Sequence, residues 1–278
     1  MELLAAPLTF ELPDGSATHA PMVEAEVAGI PMRLIVDTGA SEHVLTVDLA
    51  RRAGLGLEPD EPGTDAAGDP VPSWRAGHIP LIIAGATFSL EQVPVAEGPP
   101  PFAGWGIGGF LSPQGLHRSA SVMLDLASDR LSLVDEPARV AAAALAERHP
   151  GLRPVTLERV RTDTTILVRT AIGEYPEVVT LIDSGARSTS FAAAVLPGIT
   201  GGAEEVTGRG LGGREIRSPV VEGAVLHAGG ASLRIGALHL TADRAGEVDG
   251  IVGMDLLRGT ALVLSADPKT PVVWFVPR

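Results

Sequence analysis

Two short stretches of this sequence repeat one design, and the repeat limits what the chain can fold into. Residues 34–41 read LIVDTGAS, and residues 181–188 read LIDSGARS. In each copy an apolar run leads to an acidic residue, a small hydroxyl residue and a glycine. The two aspartates, Asp37 and Asp183, lie 146 positions apart in a chain of 278 residues. The spacing predicts two halves built on one plan, each with an acidic loop behind a buried strand.

The two loops contain what a pair of cooperating carboxylates requires. Two carboxylates that share one proton can activate a water molecule, one as general base and the other as general acid. Gly39 and Gly185 allow each chain to turn tightly and bring backbone N–H groups to a carboxylate. The hydroxyls of Thr38 and Ser184 can lock the loops to each other. The residues therefore predict an acid pair with loop-locking support from these four neighbours.

The pattern resembles the two-lobed aspartic proteases of the pepsin type, with loop details closer to the retropepsins. Ala40 and Ala186, which follow the two glycines, are similar to the retropepsin pattern. In pepsins a hydroxyl at this place helps to keep the lower carboxylate ionised, and alanine cannot donate that hydrogen bond. Loss of a donor to the charged form raises a carboxyl pKa. A pH optimum nearer the mildly acidic or cytosolic range than the strongly acidic range is therefore expected.

A second family feature is an apolar pair with a glycine beneath each catalytic loop. Residues 250–257 (GIVGMDLL) match it well, and residues 106–111 (GIGGFL) match it less regularly. Gly253 follows Asp183 by 70 positions and Gly109 follows Asp37 by 72, which predicts that the two glycines are equivalent. The residues assigned to this motif are Ile107, Gly109, Ile251 and Gly253.

The resemblance implies an all-β fold of two similar β-barrel-like lobes, related by a pseudo-twofold axis and with few short helices. The lobes are expected over 1–135 and 154–278, joined by a helix or linker over 136–153. Asp37 and Asp183 would face each other at the floor of a cleft and act as an aspartic endopeptidase, without metal or other cofactor. Because one chain carries both loops, a monomer acting on polypeptides is expected. The alternative is a non-catalytic peptide-binding protein on the same fold.

Two polar, glycine-containing segments, 58–73 and 201–213, are expected to be mobile loops that overhang the cleft as flaps. The flap of pepsins carries a tyrosine, whereas the single tyrosine here, Tyr175, lies elsewhere. Trp74 is the nearest candidate for a similar stacking role, and a tryptophan that covers a strand edge is an equally good interpretation. The flap candidates are Gly68, Asp69, Trp74, Gly210 and Gly212.

Composition narrows the range of partners. The net charge of −13 argues against nucleic acid and anionic membranes as partners, since no basic stripe is present. The absence of cysteine excludes disulfides, thiolate catalysis and cysteine-bound metal. No apolar run is long enough to span a membrane, and the N-terminus, MELLAAP, does not resemble a signal peptide. A cytoplasmic protein is expected.

Other motifs favour no competing activity. Residues 208–213 (GRGLGG) match the glycine pattern of dinucleotide-binding loops, but neither a buried strand nor a helix is predicted around them. The seven histidines are scattered, with no metal-binding spacing, and no G-x-S-x-G surrounds a serine. Asp255 is interpreted as a helix N-cap. Arg187 either forms a surface ion pair or binds a substrate carboxylate.

Overall fold

The computed structural model describes residues 2–65, 69–116, 120–134, 138–160, 165–209, 214–242, 248–265 and 272–276. Within these ranges the chain is mainly β-strand, with four short α-helices, which confirms the predicted all-β class. None of these helices has both the length and the apolar character needed to cross a membrane.

The first half, up to residue 134, contains fourteen described strands and two helices. Helix α1 begins after Thr46, because the Thr46 hydroxyl accepts the backbone N–H of Leu49 at 3.3 Å as an N-cap. The elements in chain order are β1 (Glu2–Glu11), β2 (Ala17–Val27), β3 (Ile30–Val36), β4 (Val44–Thr46), α1 (Val47–Arg52), β5 (Leu57–Pro59), β6 (Gly63–Thr64), β7 (Pro70–Val71), β8 (Ser73–Ala76), β9 (Ile79–Ile83), β10 (Ala86–Leu90), β11 (Val93–Ala96), α2 (Pro101–Trp105), β12 (Ile107–Leu111), β13 (Ser121–Asp125) and β14 (Arg130–Val134).

The second half begins with α3 (Ala138–Arg148), which lies inside the segment predicted to join the lobes. This alanine-rich helix packs on the sheet that both halves share, through the buried residues Ala141, Ala142 and Leu145. The elements that follow are β15 (Val155–Glu158), β16 (Leu167–Ile172), β17 (Val178–Ile182), β18 (Ser190–Ala192), β19 (Glu204–Arg209), β20 (Glu215–Glu222), β21 (Val225–Ala228), β22 (Ala231–Arg234), β23 (Ala237–Thr241), β24 (Gly250–Val252), α4 (Met254–Leu257), β25 (Ala261–Leu264) and β26 (Val272–Val276).

Apart from the two-stranded pair β6–β7, the described strands form one sheet that contains strands of both halves and one that belongs to the second half. The larger sheet contains fifteen strands, and one end of it runs in the order β15-β26-β25-β13-β14-β1. Its two contributions meet where β13 pairs antiparallel with β25, from Val122 opposite Leu264 to Asp125 opposite Ala261. The second sheet has nine strands in the order β19-β20-β23-β18-β24-β17-β16-β21-β22. The two halves are therefore joined by continuous backbone hydrogen bonding as well as by α3.

The strands around the two acidic loops are paired in the same way. β3 lies parallel to β12 in the first half, and β17 lies parallel to β24 in the second. The register places Gly109 opposite Leu34 and Gly250 opposite Thr180, and Leu34 and Thr180 are 146 positions apart. The strand counterpart of Gly109 is thus Gly250, whereas the spacing had predicted Gly253. Gly109 follows Asp37 by 72 positions and Gly250 follows Asp183 by 67, so the segments between loop and strand differ in length by five residues.

The two segments predicted as flap loops contain paired strands. Segment 58–73 includes the short pair β6–β7, and β5 and β8 are antiparallel beside it. In segment 201–213, β19 pairs antiparallel with β20. The strands were missed because these hairpins are largely exposed and polar, so they lack the alternation of buried apolar residues that identifies a half-buried strand.

Candidate active site

Each acidic residue is held at the end of a buried strand by its parallel neighbour. The backbone N–H of Asp37 donates to the carbonyl of Leu111 at 2.9 Å, and that of Asp183 donates to the carbonyl of Val252 at 3.0 Å. Val36 and Ile182, which precede the aspartates, are buried. Both loops therefore begin from a fixed backbone position.

Tight turns bring backbone donors to both carboxylates. Oδ1 of Asp37 accepts the N–H groups of Gly39 at 2.8 Å and Ala40 at 3.2 Å. Oδ1 of Asp183 accepts those of Gly185 at 2.8 Å and Ala186 at 3.0 Å. The alanines, which lack a hydroxyl, thus still donate to the carboxylates through the backbone. These bonds fix one oxygen of each carboxyl group.

The structure brings the two carboxyl groups into direct contact. The Asp37 carboxyl group is hydrogen-bonded to that of Asp183. A Cβ added to Gly39 would lie 2.6 Å from Cγ of Asp183, and one added to Gly185 would lie 2.7 Å from Cγ of Asp37. Each glycine is required because the opposite carboxyl group lies against it. We refer to Asp37 and Asp183 as the acid pair.

The surroundings of the acid pair favour one shared proton. Burial of the carboxyl group raises the pKa of Asp37 well above its ordinary value of 3.8, and the charge of Asp183 and the hydrogen bond to it raise it further. The N–H groups of Gly39 and Ala40 oppose this increase without cancelling it. The acid pair therefore keeps one proton above the pH at which an isolated aspartate would lose it.

Two hydroxyls lock the loops to each other in a reciprocal arrangement. Oγ1 of Thr38 donates to the carbonyl of Ile182 at 2.9 Å and accepts the N–H of Ser184 at 3.0 Å. Oγ of Ser184 donates to the carbonyl of Val36 at 2.7 Å and accepts the N–H of Thr38 at 3.0 Å. Both side chains are fully buried. The position of each carboxylate thus depends on the loop of the other half.

Replacing Gly39 by Ala should destabilise the protein and separate the acid pair. The new Cβ would overlap the Asp183 carboxyl group, and overpacking of this kind costs about 1–3 kcal/mol. Chemical denaturation would measure the decrease in the free energy of unfolding. Gly56→Ala is the matched control, because a Cβ there meets no atom within 4 Å. Equal effects of the two substitutions would contradict the close approach.

The residues of the apolar motif have separate roles beneath the loops. Ile107 is buried in a small cluster with Ile35 and Met22, apart from the main core. A Cβ on Gly109 would meet the carbonyl oxygen of Val44 at 2.0 Å. Ile251, half-buried, is paired with Leu181 and Ser190 in the adjoining strands. A Cβ on Gly253 would meet the Ser188 backbone at 2.6 Å.

The flap candidates are only partly described. Gly68, Gly210 and Gly212 lie outside the described residues. Oδ2 of Asp69 forms an ion pair at 2.9 Å with Nε of Arg214, which precedes β20. The hairpins of the two halves therefore touch at this point. Trp74 lies on β8, half-buried against the main core, as a residue that covers a strand would.

A histidine near the first loop plays a part that the sequence did not reveal. Nδ1 of His43 accepts the N–H of Ser112 at 3.2 Å. In the second half, Oγ1 of Thr189, 146 positions after His43, accepts the N–H of Gly253 at 3.1 Å. The N–H groups of Ser112 and Gly253 thus occupy equivalent positions in the two halves, and a different side chain accepts each of them. No local pattern marks such a partner, because the bond joins residues about 70 positions apart.

Two other polar side chains brace the loops from below. Nε2 of Gln114 donates to the carbonyl of Thr38 at 3.0 Å. Oδ1 of Asp255 accepts both the N–H of Thr189, at 2.8 Å, and its hydroxyl, at 2.7 Å. Asp255 lies within α4, whose N-cap is Gly253, so the N-cap interpretation of Asp255 was wrong. Among the residues that the structure describes, no three His, Asp or Glu side chains are arranged to hold a metal ion.

The environment of His43 predicts a loss of stability in acid. Burial of the ring lowers its pKa from the ordinary value of 6.5, and a hydrogen bond to the Gly115 backbone opposes the decrease. The neutral ring is also the form in which Nδ1 can accept the Ser112 N–H. The folded state therefore favours the neutral ring. Its contribution is fully present above about pH 6.5 and is lost as pH falls below that value.

Substitution His43→Thr places a threonine at the position equivalent to Thr189 of the second half. It should make the free energy of unfolding less sensitive to pH between 7 and 5. Denaturation at a series of pH values would measure this sensitivity. The control is His78→Gln, at an exposed histidine bonded to Ser89. An unchanged pH dependence in His43→Thr would show that His43 is not the group responsible.

Comparison with known proteins gives one family match. Residues 23–107 match the model of a family described as aspartyl protease. No curated protein matches the chain significantly. The matched segment contains the first acidic loop, Asp37-Thr38-Gly39, together with strands β3 and β4. The chain is therefore similar to the aspartyl proteases over this segment, and the match supports an aspartic protease family for the protein.

Proposed function

We propose that the protein is an aspartic endopeptidase in which Asp37 and Asp183 form the catalytic dyad. The observation that carries the proposal is the contact between the two carboxyl groups, each placed against the glycine of the opposite loop. An ion pair or a structural carboxylate would need neither this mutual approach nor two matching loops. The family match over residues 23–107 supports peptide hydrolysis independently.

The shared proton gives the two carboxyl groups of the dyad complementary roles. The ionised carboxylate takes a proton from a water molecule, whose oxygen attacks the carbonyl carbon of the scissile bond. The protonated carboxyl group gives its proton to the carbonyl oxygen, which produces a neutral tetrahedral diol. The carboxyl group that took the proton from water then gives it to the departing nitrogen, while the other carboxylate takes a proton from a diol hydroxyl. The C–N bond breaks, a carboxylic acid and an amine are released, and the dyad again holds one proton. The residues need no metal for these steps.

The proposed organisation follows from the matching strand pairs. We assign the first lobe to residues 1–135, the second to 154–278, and the connection to 136–153. An extended polypeptide would lie between the lobes and beneath the two polar hairpins. Since each lobe provides one carboxylate, a single chain is sufficient for activity.

Digestion of an unstructured peptide library across a range of pH tests the proposal. The wild-type protein should cleave internal peptide bonds, and the rate should follow a bell-shaped pH profile whose upper limb reports the raised pKa of Asp37. Asp37→Asn, purified in parallel, controls for a contaminating protease. Absence of internal cleavage at every pH, with the peptides bound, would instead favour a peptide-binding protein.

A further inference from the structure

The second acidic loop carries a cation for which the described structure offers no counter-ion. Arg187 follows Asp183 by four positions and is exposed. Within the described residues its guanidinium has no hydrogen bond or ion pair, whereas those of Arg33, Arg75 and Arg214 are each paired with carboxylates. The predicted surface ion pair is therefore not seen among the described residues.

A histidine from the other half lies beside this arginine and the acid pair. Nε2 of His19, on β2, donates to the carbonyl of Gly185 at 3.3 Å. Desolvation of the ring lowers the pKa of His19; Arg187 lowers it further, while the Gly185 carbonyl and Asp183 oppose the decrease. His19 is thus close enough to both charges to be affected by them, although part of its surface remains accessible.

A second histidine, buried in the sheet of the second half, is close enough to Arg187 to be affected by its charge. His239, on β23, is buried, and its Nδ1 has no hydrogen-bond partner within the described residues. Arg187, Asp255 and Glu205 all act electrostatically on this ring. Asp255 is already engaged by Thr189, and Glu205 lies exposed on β19. Neither carboxylate forms an ion pair with Arg187.

We propose that Arg187, with His19 beside it, binds a carboxylate of the substrate a few residues from the scissile bond. A guanidinium presents several donors in a planar fork that matches a carboxylate. In the first loop the position four after Asp37 is Ser41, so only one side of the acid pair carries this charge. The site thus selects an acidic group on one side of the scissile bond. This inference rests on the proposed function and adds a substrate class to it.

A peptide scan locates the carboxylate and identifies its source. In a cleavable peptide, each position on either side of the scissile bond carries Glu or Gln in turn, and every peptide is made with a free and with an amidated C-terminus. For the wild-type protein, kcat/KM should be about tenfold higher with Glu at one position, mainly through a lower KM. A preference for the free C-terminus instead would assign the site to a terminal carboxylate.

Substitutions at Arg187 then assign the preference to that side chain. Arg187→Gln should abolish the Glu preference, Arg187→Lys should retain part of it, and Arg187→Glu should reverse it in favour of Lys at the same position. Arg139→Gln is the matched control, because Arg139 is exposed on α3, which packs on β13, β25 and β26 rather than on the strands that lead into the acidic loops. It should keep the wild-type preference.

The outcomes separate this inference from the proposed function. Cleavage with the same Glu-to-Gln ratio in wild type and Arg187→Gln would overturn the inference and leave the endopeptidase in place. If no peptide is cleaved, the proposed function fails, and binding of the same peptides to Asp37→Asn with and without Arg187→Gln decides the inference. Equal affinity for the Glu and Gln peptides in both proteins would overturn it.

Discussion

Replacing Asp37 or Asp183 by Asn should lower kcat/KM for peptide cleavage by about 10⁴-fold, which is the upper range for loss of a general acid or base. Asparagine keeps the shape of the side chain and cannot exchange the proton that the mechanism moves. Both substitutions should have the same effect, because each carboxyl group is half of one unit. Initial rates on a single internally quenched peptide would measure it. Full activity in either variant would refute the assignment of the dyad.

Asp37→Asn should at the same time stabilise the protein at neutral pH. The raised pKa means that the folded state holds a proton on Asp37 that the unfolded chain releases above about 3.8. The contribution of this group to stability is therefore lost as pH rises through its raised pKa. Asparagine removes that loss, so the advantage of the variant should grow from pH 4 upwards. Thermal unfolding of both proteins at a series of pH values measures this advantage. A variant less stable than the wild type would show that its loss of activity comes from unfolding.

Substitution of Thr38 by Val should cause the largest loss of stability at the site. Valine fills a similar volume, but it leaves the N–H of Ser184 without an acceptor and the carbonyl of Ile182 without a donor. Two buried, unsatisfied backbone groups cost about 3 kcal/mol together. The melting temperature should then fall by about 6–12 °C in a chain of this size.

Thr38→Ser is the matched control, since serine keeps the hydroxyl. It should retain most of the stability and the activity, whereas Thr38→Val should lose activity even where it is still folded. A Thr38→Val protein as stable as Thr38→Ser would mean that the reciprocal bonds contribute nothing beyond packing.

The repeated acidic loops were the part of the structure that could be predicted from sequence. They are specified locally, because a buried strand, an acid, a hydroxyl and a glycine are adjacent in the chain. Asp37 and Asp183, with Thr38 and Ser184, lie together as the motif indicated. Segment 106–111 was harder, because the first half has five more residues than the second between the acidic loop and this strand, so spacing alone misaligned the two glycines.

Other parts of the site depend on contacts between distant residues. His43 and Thr189 look unrelated in sequence, and only the strand pairing shows that they accept backbone N–H groups at equivalent positions, those of Ser112 and Gly253. Ala40 and Ala186 have no side-chain donor, but their backbone N–H groups do reach the carboxylates. The exposed hairpins were predicted as loops because they are polar on both faces.

The pairing of β13 with β25 has a consequence for how the protein unfolds and loses activity. Neither half can leave the shared sheet without exposing the backbone donors and acceptors of these paired strands on the other half. Each half carries one member of the acid pair, so any opening that separates the halves also separates the two carboxyl groups and abolishes activity. We therefore expect heat inactivation to coincide with cooperative loss of structure, with no long-lived form that is half unfolded and still active.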